Sequence, residues 1–122
     1  MAAHNGENYV AEAVTSILNQ TFSDFEFLIV DDGSTDTTPA ILASFNDKRM
    51  HVTRRERGGL TTALINGLGA ARGEFVARMD ADDICEPKRL ETQLDIMSTN
   101  ANLALVGTWF NIVDEAGVTL AQ

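Results

Sequence analysis

Apolar residues return at positions 10, 13, 14, 17 and 18 (Val, Ala, Val, Ile, Leu), the spacing of a helix with one buried face. That pattern predicts a helix over about residues 7–20, with Asn5 placed to cap its N-terminus. Phe25 to Val30 is almost wholly apolar after Glu26 and rich in β-formers, which predicts a strand buried on both faces. It runs out at Asp31-Asp32-Gly33-Ser34-Thr35-Asp36, a string of turn formers. Thr38-Pro39 then opens a second helix, with Thr as cap, Pro in the first turn and Ile41, Leu42 and Phe45 as its apolar face. Met50 to Thr53 predicts a short third strand.

A longer stripe follows: Leu60, Ala63, Leu64, Gly67, Leu68 and Ala71 share one helical face, and Gly73 stands where a left-handed residue would end that helix. Glu74 to Met79 predicts a strand, and Pro87 opens a helix with Leu90, Leu94 and Met97 inward. Leu103 to Val106 and Trp109 to Val113 predict strands, and Asp114-Glu115-Ala116-Gly117 a hairpin turn into Val118 to Leu120. Helices alternating with short buried strands predict an α/β protein, a three-layer sandwich around a mainly parallel sheet. The chain reads as a single domain over residues 1–122.

Composition narrows the function more than the fold. The net charge is -9, no Lys or Arg precedes Lys48, and five of the nine basic residues lie between Lys48 and Arg57. With no basic stripe, nucleic acid is not the expected partner. An anionic ligand would need a metal, backbone amides or a few placed arginines. No apolar run reaches the ~20 residues of a membrane span. The one cysteine, Cys85, cannot form an internal disulfide and suits a reducing compartment. Alone beside the acidic residues, it reads as a small packed residue.

The chemistry sits in two acidic groups. Arg78-Met79-Asp80-Ala81-Asp82-Asp83 places three carboxylates within four residues, where the expected strand leaves the sheet. Each carboxylate raises the cost of ionising the others, so such a cluster calls for a cation. Mg2+ and Mn2+ take oxygen ligands, often one or two carboxylates completed by substrate phosphates and water. Asp31-Asp32 ends another expected strand, 48 residues before Asp80 counted from Asp32. Ligands of parallel α/β sheets bind beyond the carboxyl ends of the strands, so both groups are expected on one rim.

Asn5-Gly6-Glu7, Val30-Asp31-Asp32-Gly33-Ser34-Thr35-Asp36, Ala71-Arg72-Gly73-Glu74 and Arg78-Met79-Asp80-Ala81-Asp82-Asp83 resemble, in order and spacing, the family 2 glycosyltransferases. Pro87, Arg89-Leu90 and Gln93 resemble the helix that follows the acidic motif there. The resemblance covers essentially the whole chain. It implies a GT-A (Rossmann-like) fold and transfer of a sugar, with inversion, from a nucleotide-sugar donor, commonly a UDP-sugar, to a saccharide or lipid-linked acceptor. It also implies Mn2+ or Mg2+ as cofactor, and a place in polysaccharide or cell-envelope glycan synthesis. By position it makes Asp32 the carboxylate that meets the nucleobase and sets Ala3, His4 and Glu7 around the nucleotide. Asp80 and Ala81 fall on the ribose and sugar side, with Asp82 as the main metal contact, joined by Asp80 and with Asp83 as a further candidate. Arg78 is expected to pair with a carboxylate; Arg57 is expected to be a surface arginine, with an approach to the diphosphate as the alternative.

The departures from the family pattern carry their own expectations. Only Met1-Ala2-Ala3 stands for the apolar strand ahead of Asn5, so two unpaired sheet edges are expected to face each other. No position before Gln122 matches the family's catalytic base; Asp114 and Glu115 sit in no such motif. These features describe the donor-binding half of a larger enzyme, cytoplasmic and, in full length, at the inner face of a membrane, with oligomerisation open. Two rivals stand beside it. A response-regulator receiver domain would also carry an acidic pair and a later Asp, but wants that pair on its first strand and a Lys beyond Lys88. A non-catalytic nucleotide-binding module is the other.

Overall fold

The computed structural model describes residues 1–114 and 116–121. They form two compact units, Met1–Glu91 and Thr92–Gln122. In the first, strands β1 (Ala2–Ala3), β2 (Phe27–Asp32) and β3 (Met50–Arg55) make a parallel sheet in the order β1-β2-β3. Helices α1 (Val10–Leu18) and α2 (Thr38–Ser44) supply the crossovers, and α3 (Leu60–Ala70) follows β3.

Alternation along β2 builds two cores from one strand, because successive side chains point to opposite faces. Phe27 and Ile29 are buried with Ala3, Val10, Ala13, Val14, Ile17 and Leu42, on the side of α1 and α2. Val30 is buried with Ala2 and Ala63, on the side of α3. The result is the expected three-layer α/β sandwich. The stripe predicted for the first helix is the buried face of α1, and Leu42, with Ile41 and Phe45 packed beside it, is the buried face of α2.

Several expectations are corrected. Asn5 does not cap α1: it has a φ of +49°, the helix begins at Val10, and Asn5 is tied to the loop after β2. β2 and β3 each extend two residues past the predicted ends, because Asp31 and Asp32 pair with Arg54 and Arg55 across the ladder. The α3 stripe is only partly interior: Ala63 is fully buried, while Leu60 and Leu68 are exposed. Gly73 is not left-handed, and α3 ends at Ala71 in an extended conformation. Residues 74–79 are not a strand. A strand is completed by its neighbour's ladder, and β1, at the edge of the sheet, offers only two residues of it. The edges on either side of the first strand therefore do not face each other unpaired, as β1 joins β2 and itself forms the sheet edge.

Helix α4 spans Arg89–Thr99, with Leu90, Leu94 and Met97 half-buried instead of interior. In the second unit, β4 (Ile112–Val113) and β5 (Thr119–Ala121) form an antiparallel hairpin. Residues 103–106 and 109–111 are not strands. Within the predicted turn, Gly117 has a φ of +77° and its N–H donates to the Asp114 carbonyl; Glu115 lies outside the described residues.

Candidate functional site

The loop after β1 and the loop after β2 are laced together where the sheet ends. The Asn5 N–H donates to Ser34 Oγ (3.0 Å), and Asn5 Oδ1 accepts from the Thr35 N–H (2.8 Å). The Gly6 N–H donates to Thr38 Oγ1 (2.8 Å). Glu7 Oε2 accepts from both the N–H and the hydroxyl of Thr37 (3.0 and 2.7 Å), at the start of α2. Asp36 Oδ1 accepts from the Thr38 N–H, so Asp36 satisfies a donor of the first turn. The motifs Asn5-Gly6-Glu7 and Ser34-Thr35-Asp36 are thus the two sides of one seam, and Glu7 is committed to it.

The acidic pair beside that seam is met by arginines one strand over. Asp31 is buried; Oδ1 accepts from the Ser34 N–H (3.0 Å), and the Arg54 Nε lies 3.4 Å from Oδ2. Asp32 is also buried. Its Oδ1 accepts from Arg55 Nη1 (3.0 Å) and the Gly58 N–H (2.9 Å), and its Oδ2 from the Gly59 N–H (2.7 Å). Those amides, the Gly58 N–H foremost and then that of Gly59, hold the Asp32 carboxyl below the usual aspartate range, against the opposing effect of burial; Arg55 and His4 add to this. An ionised carboxylate has about four acceptor positions. Three are filled, and the open one is on Oδ2. His4 Nδ1 donates to the Asp32 carbonyl (2.9 Å).

Ala2, Ala3, His4, Asp32, Arg57, Gly59 and Leu60 line an open hollow of about 220 Å3. Three of the expected nucleotide contacts, Ala3, His4 and Asp32, therefore meet in one place, and Arg57 is an exposed residue on its wall. Sequence reasoning missed Arg55, Gly58 and Gly59. The signal was available: extending β3 by two residues sets Arg54-Arg55 in register with Asp31-Asp32.

The other acidic group does not line this hollow. Residues 80–84 form a loop hung between two buried anchors, Met79 and Cys85. Gln20 holds the far anchor, donating to the Glu86 carbonyl (2.8 Å) and accepting from the Leu90 N–H (3.0 Å). Asp80 is paired with Arg78 (2.8 Å), as expected, Ala81 packs against the core, and Asp82 and Asp83 are exposed. Exposed as Asp83 is, partial desolvation of its carboxyl, then the charges of Asp82 and Asp80, push that group above its usual range. Among the described residues no three His, Cys, Asp or Glu side chains converge into a closed metal cage. The donor set fits a hard divalent ion held by one or two carboxylates and completed by phosphate oxygens. Of the soft donors nearby, the Met79 thioether is buried in the core and so is Cys85, whose thiol is pushed up by burial. It behaves as the packed residue expected.

Comparison with known proteins decides the family. The model of glycosyl transferase family 2 matches residues 1–120. The chain belongs to glycosyl transferase family 2. Among its relatives are an uncharacterized glycosyltransferase of Haemophilus influenzae (35% identical, covering 94% of this chain and 36% of that protein) and the putative glycosyltransferase EpsE of Bacillus subtilis (34% identical, covering 100% and 45%). The chain thus spans less than half the length of these relatives. Solved structures of S. aureus TarS residues 1–349, in complex with UDP and with UDP-GlcNAc, align with a TM-score of 0.75 each. They are 30% and 31% identical over 80% of this family 2 chain, and the match covers 30% of each TarS chain. The fold is that of these glycosyltransferases, and the receiver-domain reading falls with the family match.

Proposed function

We propose that this chain is the donor-binding part of an inverting, metal-dependent glycosyltransferase that takes a UDP-sugar. The observation that carries the reading is the Asp32 carboxylate, ionised and held by two backbone amides and a guanidinium, with one acceptor position open beside the hollow. Uracil offers a ring N–H that such an acceptor can take. His4 and Ala3 flank the base, Arg57 approaches the diphosphate, and Asp80 and Ala81 face the ribose and sugar. The resemblance to proteins solved with UDP and UDP-GlcNAc supports the same donor class.

Asp82, with Asp80 and with Asp83 alongside, would hold Mn2+ or Mg2+ once a diphosphate completes the ligand set. Bound there, the ion supplies Lewis-acid stabilisation of the charge gathering on the departing nucleoside diphosphate. The acceptor hydroxyl of a saccharide or lipid-linked substrate attacks the anomeric carbon from the face opposite the diphosphate. The bond from that carbon to the diphosphate oxygen breaks, the hydroxyl proton passes to a carboxylate, and the anomeric centre inverts. Asp32 is turned to the donor and cannot be that base; we assign the base to the acceptor-binding part of a longer enzyme acting on the cytoplasmic side in glycan synthesis.

Isothermal calorimetry of the 122-residue chain with UDP tests the reading. Affinity in Mn2+ should exceed that in EDTA by about tenfold or more, Asp82→Ala should erase that difference, and Asp32→Asn should weaken binding by about tenfold. Equal affinity in EDTA, or an unchanged Asp82→Ala, removes the metal assignment. An unchanged Asp32→Asn removes the base contact. A non-catalytic module would bind UDP and never yield transfer activity when the acceptor part is supplied.

A further inference from the structure

Asp32 is bonded by two groups of different kinds, and the division between them has a direction. Gly59, whose N–H meets Oδ2, lines the hollow together with Asp32. Arg55 and Gly58, whose donors meet Oδ1, are not part of that wall. The carboxylate is therefore clamped from behind on one oxygen and shows the other to the ligand. The clamp is itself built to fit. A Cβ placed on Gly58 would lie 2.7 Å from both terminal nitrogens of the Arg55 guanidinium, so the guanidinium rests against bare backbone at that residue. Gly58 has no left-handed φ, and what a side chain there would meet is the Arg55 guanidinium, the far end of a flexible side chain that would have to shift.

We propose that Arg55, seated on Gly58, is a positioning residue that fixes the Asp32 carboxylate with Oδ2 toward the hollow and thereby sets the preference of the site for a nucleobase bearing a ring N–H. The proposal rests on the donor reading above. A rotating carboxylate would spread its acceptor positions between hollow and strand. Held by Arg55 and the Gly58 N–H, it presents one acceptor in a fixed direction. A base whose matching edge is an acceptor, such as cytosine at its ring N3, then meets a lone pair instead of a donor. Rejection by an unpaired buried polar group is the stronger form of selectivity. Lysine cannot replace the arginine here, since an ammonium lacks the flat fork that fits against the glycine.

UDP and CDP binding to the full chain, measured by calorimetry in the same Mn2+ buffer, tests this, because the shared diphosphate cancels in the ratio. Wild type should prefer UDP. Arg55→Ala should weaken UDP by about tenfold and CDP by less than about twofold. Gly58→Ala, which displaces the guanidinium without removing it, should give the same loss of preference, and the double variant should be no worse than either single one. Arg55→Lys should fail to restore the preference. A carbon-detected NMR titration of Asp32 without ligand adds a second readout. Its carboxyl should titrate at higher pH in Arg55→Ala, since one of the groups holding it down is gone, while the Gly58 and Gly59 amides and His4 remain. A wild-type UDP/CDP ratio in Arg55→Ala or Gly58→Ala overturns the proposal, as does an additive double variant. Should Arg55→Ala not fold, Gly58→Ala and Arg55→Lys decide the matter alone. Wild type that binds neither nucleotide overturns the donor reading, and a wild type that binds both equally overturns only the positioning claim.

Discussion

At Gly33 the chain has a φ of +71°, and an added Cβ would lie 2.7 Å from the Arg57 backbone nitrogen. No side chain satisfies both conditions, so the turn that follows the acidic pair depends on glycine. Gly33→Ala should lower stability by at least about 1 kcal/mol and shift the 55–59 segment off Asp32. Thermal unfolding followed by circular dichroism reads the first effect, and loss of UDP affinity the second; a variant with unchanged unfolding would mean the turn can relax. The expectation that Asp32 meets a nucleobase came from the family resemblance, while residue identity pointed to Gly33 as a turn former and to Arg78 as a carboxylate partner. It gave no hint that Glu7 spends its carboxylate on Thr37, because Thr37 is 30 positions away and only the seam between two loops brings them together.

Among elements, the buried faces of α1 and α2 and the parallel β2–β3 pair were legible from spacing, since burial follows directly from periodicity there. The strand expected at residues 74–79 was not, because a strand is completed by its neighbour and an apolar run cannot report how long that neighbour is. Ends of elements failed for a related reason: charge pairing across the ladder carries β2 and β3 past the point where hydrophobicity stops. The entry to β3 shows electrostatics fixing an element end as well. Asp47 accepts from the Arg49 backbone and guanidinium, and Arg49 in turn donates to the Leu18 carbonyl and lies 4.6 Å over the Phe25 ring. Arg49, first through its side chain and then its N–H, takes the Asp47 carboxyl from 3.8 to about 2. A depressed carboxyl contributes stability that is whole above its unfolded value and lost as pH falls through the folded one. Asp47→Asn should therefore be less stable at neutral pH and lose less on acidification from pH about 4 to about 2. Denaturant melts of both proteins across that range would refute this if the two curves ran parallel.

At the scale of the molecule, no helix among the described residues is long and apolar enough to cross a membrane. The second unit instead carries its apolar side chains outward: Leu105 is 84% exposed and Trp109 98%. Trp109 is the only tryptophan, so its fluorescence should resemble indole in water and be quenched freely by acrylamide; a blue-shifted, protected emission would contradict this surface. Three-layer order and family membership were legible over the full length, since they rest on the order of motifs and not on any one boundary. The placing of Asp80–Asp83 relative to a strand end was not, for the reason given by the short β1. One further consequence follows from the rungs that join Asp31 to Arg54 and Asp32 to Arg55. A slip of β3 by a single residue would turn every side chain to the wrong face and strand one carboxylate without its cation. The two rungs that bring Asp32 to the ligand wall therefore act as a registration mark during folding, and a chain that pairs its strands out of step cannot assemble the binding wall either.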